Sequence, residues 1–223
     1  MGLFITLEGI EGSGKSTQAR ILEEKLSGKG YKTVLTREPG EGEIGEKIRD
    51  ILLNIESHEL LSLTELHLLL ADRAQHVNSF IRPALDANTI VICDRYIDSS
   101  MAYQGYGRGI STDFIRQMNM HATDGLIPDT TFLFDLNVET GLLRSQNRLK
   151  QQDMFSQEGR FESESLNFHK RVRQGYLKLA HEESDRFFIL NAEKNMKELT
   201  LQMWNHIVGL VTPEMKIMNE MIK

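Results

Sequence analysis

The run Gly9-Ile10-Glu11-Gly12-Ser13-Gly14-Lys15-Ser16 has the spacing G-x-x-x-x-G-K-[ST], whose chemistry is the cradling of a polyphosphate. Glycines let the backbone curl so that successive N–H groups, including that of Ser13, point at phosphate oxygens. A helix leaving the loop adds the positive end of its dipole. Lys15 brings a point charge, and the Ser16 hydroxyl is a ligand for Mg²⁺. A second set of charged residues stands at other strand ends. Asp94-Arg95-Tyr96 follows the β-branched run Thr89–Cys93, and a carboxylate there is placed to manage Mg²⁺ or its waters. Arg95 has the planar fork suited to bidentate capture of a phosphate. Arg37, in Thr36-Arg37-Glu38-Pro39-Gly40, falls at the same edge, and Leu69 and Arg73 share one helical face. The polar stretch 146–161 reads as a flexible lid whose Arg148 and Arg160 swing onto transferring phosphates. Two phosphate-bearing ligands meeting end to end account for so many arginines better than one. No Asn-Lys-x-Asp guanine-reading run is present, so phosphoryl transfer between nucleotides is the expected chemistry.

These groups need a frame that brings strand ends together. Short apolar runs at Leu3–Leu7, Lys32–Thr36, Thr89–Cys93, Thr130–Phe134 and Arg186–Leu190 read as five buried strands. Helices are expected from Thr17, from about Thr64 with a kink near Phe80 caused by Pro83, and over Thr112–Thr123, Val138–Lys150, Ser163–Glu183 and Met196–Val211. Ser99–Gly105 reads as a loop of small and aromatic residues. Such alternation predicts an α/β fold, a five-stranded parallel sheet with helices on both faces. Residues 1–211 are expected to form one domain, with 212–223 a Met-rich extension (Met215, Met218 and Met221) that caps the core. The formal charge of −6 argues against broad nucleic-acid binding. A single cysteine, Cys93, permits no intrachain disulfide, and no apolar run approaches the ~20 residues of a membrane span. With no signal-peptide pattern at the N-terminus, a cytoplasmic protein is expected.

From Leu3 to about Leu210 the chain resembles the thymidylate kinases. The resemblance is carried by Leu7-Glu8-Gly9 before the loop, Thr36-Arg37-Glu38-Pro39-Gly40, Ala71-Asp72-Arg73-Ala74-Gln75-His76, and Asp94-Arg95-Tyr96-Ile97-Asp98-Ser99-Ser100 continuing to Ala102-Tyr103-Gln104-Gly105. It implies the three-layer P-loop kinase fold, a homodimer, and transfer of the ATP γ-phosphoryl group to dTMP for dTTP synthesis. By position it implies that the loop from Gly9 through Gly12 and Gly14 to Lys15, Ser16 and Thr17 holds the ATP phosphates and Mg²⁺. Glu11 stands at the reaction centre, Arg37 and Arg95 grip the dTMP phosphate, and Asp94 lies near the metal. Arg73 bonds a thymine carbonyl, Ser100 and Gln104 line the base pocket, and Tyr103 under the deoxyribose excludes a 2′-hydroxyl. No arginine lies between Gly9 and Gly14, which resembles the bacterial type that draws this charge from the lid. Arg160-Phe161-Glu162 matches the family's lid motif and makes Arg160 the first choice there.

The chain departs from the family pattern at four places. Leu69 replaces the phenylalanine that stacks on thymine, Glu41 replaces a glycine, Gly159 replaces a lid aspartate, and Asn191 replaces an aspartate ending the last strand. The alternatives are a kinase for another nucleoside monophosphate or a deoxynucleoside, and a nucleotide-dependent switch that ignores dTMP. The second arginine set disfavours the switch.

Overall fold

Backbone pairing carries every strand one residue past its apolar run. In the computed structural model, which describes residues 2–212 and 215, the strands are β1 (Phe4–Glu8), β2 (Thr33–Arg37), β3 (Ile90–Asp94), β4 (Thr130–Asp135) and β5 (Phe187–Asn191). An apolar run does not mark where a strand ends, because the ladder continues as long as backbone groups find partners. Leu7 and Arg37 therefore both pair with Asp94, and Asp135 pairs with Asn191. All pairings are parallel, in the order β2-β3-β1-β4-β5. One direction for every strand puts Glu8, Arg37, Asp94, Asp135 and Asn191 at a single edge, where open α/β sheets collect ligands.

The helices around this sheet are α1 (Lys15–Ser27), α2 (Gly42–Leu53), α3 (Ser62–His76), α4 (Arg82–Asp86), α5 (Ile97–Ser100), α6 (Thr112–Thr123), α7 (Val138–Gln151), α8 (Phe155–Glu158), α9 (Leu166–Glu182) and α10 (Met196–Ile207). Alternate residues of β3 join different clusters. Ile90 and Ile92 pack with Leu22 and Leu26 of α1, and Val91 and Cys93 pack with Val77, Ile81 and Leu85. The break expected near Phe80 is a widened π-turn, Val77–Ile81, which lets the helical path continue past Pro83.

Three expectations change. Helix α2 was not evident from the pattern, because glycines at 42 and 45 and scattered charges obscure the inner face on which Gly45 and Leu52 are buried. Ser99–Gly105 is helical rather than a loop: α5 runs into a π-turn over Met101–Gly107, which packs against α9. There Gly175 allows the approach, since a Cβ would lie 2.5 Å from the Tyr106 ring. The stretch 146–161 is not one loop either, because α7 continues to Gln151 and α8 follows. The Arg49–Glu158 ion pair at 3.0 Å joins α8 to α2.

In the expected C-terminal extension, Met215 is buried in the main core and its carbonyl accepts the Lys32 amide hydrogen at 3.0 Å. Met218 and Met221 lie outside the described residues. Among the described residues no helix is long and apolar enough to cross a membrane.

Candidate active site

The loop between β1 and α1 is shaped by contacts that leave no room for side chains. Gly12 has φ +66°, and a Cβ there would lie 2.1 Å from the Gly141 carbonyl oxygen at the start of α7. Lys15 folds back over the loop, donating to the Ile10 carbonyl at 2.8 Å and the Ser13 hydroxyl at 3.2 Å. Burial, and next the like charge of Arg95, lowers its ammonium to about 8, against the pull of Asp94, Glu11 and Glu8. The Ser16 hydroxyl donates to Asp94 Oδ2. The other Asp94 oxygen, Oδ1, is buried with no partner among the described residues. A serine hydroxyl beside a carboxylate with a spare oxygen is a hard-oxygen donor pair that suits Mg²⁺ shared with phosphates. Among the described residues no group of three His, Cys, Asp or Glu could hold a metal on its own.

Across the cleft, the backbone turns sharply where β3 ends. Arg95 has φ +73°, a strained setting for a non-glycine residue. Glu8 over-determines it: its carboxylate accepts from the Tyr96 and Ser99 amides (2.7 and 3.3 Å), the Ser99 hydroxyl (2.7 Å) and the Tyr176 hydroxyl (2.8 Å). Burial, followed by the charge of Asp98, still pushes the Glu8 carboxyl up to about 7. The Arg95 guanidinium bonds Glu11 at 3.2 Å and the Tyr103 hydroxyl at 3.1 Å. It also reaches Ser99 and Tyr176, each at 3.2 Å.

Arg73 on α3 is 1% exposed. It donates to Glu38 (2.7 Å), Ser100 (2.9 Å), Asn119 (2.6 Å) and the Tyr96 carbonyl (2.9 Å). Four of its five N–H donors are thus occupied, leaving one on Nη2. Gln104 gives its amide to Glu65 at 2.7 Å, and its own oxygen is buried without a partner among the described residues. These groups, with Leu69, Tyr103 and the exposed Arg37, line the same cleft of about 630 Å³ as the phosphate loop and Thr17. Ser100, Tyr103 and Gln104 share a face because residues 97–107 are helical.

The two lid arginines part ways. Arg148, exposed on α7, lines the cleft. Arg160 does not: it is 7% exposed, its Nη2 lies 2.7 Å from Glu65 Oε2 and its Nε bonds the Leu52 carbonyl. Burial would raise the Glu65 carboxyl, but hydrogen bonding and charge from Arg108, with Arg160 and Gln104, hold it below its ordinary value. In this structure Arg160 therefore stands outside the cleft rather than over the phosphate loop, and a chain motif does not reveal which carboxylate its arginine will meet.

Sequence reasoning also missed Arg49, which lines the cleft from α2 and donates to the Pro39 carbonyl at 3.0 Å. The i, i+4, i+8 series Ile44, Ile48, Leu52 was the signal that could have revealed its helix. Asn119, on α6, had no such signal.

The sequence profile of thymidylate kinase matches residues 7–203. The chain belongs to the thymidylate kinase family. A thymidylate kinase of Desulfovibrio desulfuricans is 51% identical over 200 residues, 90% of this chain and 92% of the relative. One from Geotalea daltonii is 47% identical over 94% of this chain and 98% of the relative. The crystal structure of thymidylate kinase from Ehrlichia chaffeensis superposes with a TM-score of 0.72 at 35% identity, covering 92% of this chain and 98% of that one. The P-loop kinase fold of this family member accounts for the convergence of loop, Asp94 and arginines at one sheet edge.

The depressed Lys15 sets a pH limit on this kinase. Only the ammonium attracts phosphate, so affinity for a non-hydrolysable ATP analogue is expected to hold up to about pH 8 and to weaken by up to about tenfold per unit above it. Calorimetric titration across that range checks this; unchanged affinity well above pH 8 would contradict the assignment.

Proposed function

We propose that this thymidylate kinase family member transfers the γ-phosphoryl group of ATP to the 5′-phosphate of dTMP, giving dTDP and ADP, in the cleft that the phosphate loop lines at the carboxyl edge of the sheet. The observation that carries the reading is the meeting there of two cation sets. Lys15 and the loop amides form the donor side, Arg95, Arg37 and Arg49 form the acceptor side, and Glu11 stands between them.

The acceptor is already an anion, so no strong base is required, and alignment with charge stabilisation supplies the rate. Arg95 and Arg37 hold the dTMP phosphate in line, with Arg49 beside them. The remaining Arg73 N–H donates to a thymine carbonyl, and the unpartnered Gln104 oxygen accepts the imino N–H. Tyr103, tied to Glu11 at 2.5 Å, packs under the deoxyribose and disfavours a 2′-hydroxyl. Ser16 and Asp94 would hold Mg²⁺, which when bound would supply positive charge to the ATP phosphates. Arg148 supplies the lid charge, since Arg160 is committed to Glu65. Exposed Leu61, Leu63 and Phe114, at the start of α3 and on its packed neighbour α6, favour a homodimer. The nucleotide substrates and the lone buried Cys93 support a cytoplasmic setting.

Arg148→Ala is expected to lower kcat by about 10²-fold with little change in melting temperature. Arg160→Ala is expected to lose about 3 kcal/mol of stability, because Glu65 loses a buried partner. Denaturant unfolding and steady-state kinetics separate the two, and the opposite pattern would return Arg160 to the phosphates. Leu69→Phe should lower the KM for dTMP about threefold to tenfold by aromatic stacking. A panel of dTMP, dUMP, other monophosphates and deoxythymidine with ATP tests the acceptor, and preference for any other acceptor would overturn it. Sedimentation at micromolar concentration should give about twice the 25.5 kDa chain mass; a monomer would rule out the dimer.

A further inference from the structure

His169 touches both the phosphate loop and the segment joining α8 to α9. It lies in the first turns of α9 with no exposed surface. Its Nε2 is 3.0 Å from the Phe161 carbonyl oxygen, and its Nδ1 is 3.3 Å from Glu11 Oε2. A carbonyl oxygen only accepts, so Nε2 carries a hydrogen. The Glu11 carboxylate also only accepts. Burial would raise it, but the His169 ring beside it, the charge of Arg95 and the Tyr103 hydroxyl hold it far below the usual range. Neither Nδ1 nor Oε2 has an aligned hydrogen-bond partner among the described residues, so a bare Nδ1 lone pair would face an anionic oxygen directly. A ring placed between two acceptors is satisfied only as an imidazolium.

We propose that His169 is a positioning residue which, as an imidazolium, holds the Glu11 carboxylate and the Phe161 carbonyl in one arrangement, so that the phosphate loop and the segment above it set each other's geometry for phosphoryl transfer. The other Glu11 oxygen already receives Tyr103 at 2.5 Å and Arg95 at 3.2 Å. Without the imidazolium the carboxylate turns fully onto Arg95 and draws off charge needed by the acceptor phosphate. Phe161 lies between Arg160, anchored on Glu65, and Glu162, which accepts from Ser145 of α7 at 2.5 Å. The carbonyl held by His169 is thus the middle of a fastened segment. Beyond Glu11 the charged and titratable groups facing this pair are Arg95, Tyr103, Lys15 and Glu162.

The proposal rests on the placement of Glu11 and Arg95 at the acceptor phosphate. Nitrogen-15 NMR of the histidine-labelled full-length protein at neutral pH should show both His169 ring nitrogens carrying hydrogen, as two facing acceptors require. The signal is assigned by its absence in His169→Gln, and one unprotonated nitrogen overturns the proposal. His169→Gln keeps a donor for Phe161 but loses the link to Glu11, whereas His169→Asn does the reverse. His169→Gln is expected to lower kcat about tenfold with each KM changed less than about twofold, and His169→Asn to lower kcat less. Glu11→Gln separates the layers. If it retains wild-type kcat, the placement of Glu11 falls; if it is impaired while His169→Gln is not, the positioning role alone falls.

Discussion

Cations can gather at one sheet edge before any anion arrives only if carboxylates stand behind them. Arg73 rests on Glu38, Arg95 on Glu11, and the Arg108–Arg160 pair on Glu65. Removing a guanidinium from water without a partner costs several kcal/mol, and even a good buried pair often does little better than break even. The pairs are therefore better understood as geometry than as stability. Glu38 and Glu11 each fix the plane of an arginine that lines the cleft, so the remaining donors are already aimed when substrate enters, which is how electrostatic catalysis avoids reorganisation at the moment of reaction.

The same constraint ranks the cleft's residues. Arg73, at 1% exposure and bonded through all three nitrogens, is the most enclosed and suits reading a base. Arg95, gripped through both terminal nitrogens yet still lining the cleft, suits a phosphate that makes and breaks contact each turnover. Lys15 bonds two neutral oxygens, and burial with the like charge of Arg95 leaves its ammonium lower than usual. Glu8 serves the frame rather than the substrate, bracing the strained turn at Arg95 from β1 and through Tyr176 of α9.

Legibility in the sequence followed the distance over which the chemistry is spelled. The phosphate loop and Asp94-Arg95-Tyr96 could be read because a loop that wraps phosphate, or a strand end that presents a carboxylate, needs its residues at consecutive positions. The central strands could be read because burial on both faces demands continuous apolar runs, and the edge strands β2 and β5, though only partly buried, keep enough apolar residues to be read as well; their last residues could not, since backbone pairing does not stop where hydrophobicity does. The 97–107 segment was misread as a loop because its small residues and glycines serve close packing on α9, a tertiary demand that overrides local preference. Arg160 was misread for a related reason: nothing near it in the chain announces Glu65, 95 positions away.

By itself the sequence determined the parallel α/β class, the nucleotide chemistry and, by its resemblance, the family. Those depend on local periodicity and on motifs of a few adjacent residues. Only the tertiary structure decided which arginines face the cleft, that Arg49 and Asn119 stand beside them, and that His169 joins the loop to the segment above it. Such choices depend on which buried donor meets which buried acceptor. In a low-dielectric interior an unmatched group costs more than any local propensity contributes, and the partners come from elements that are distant in sequence.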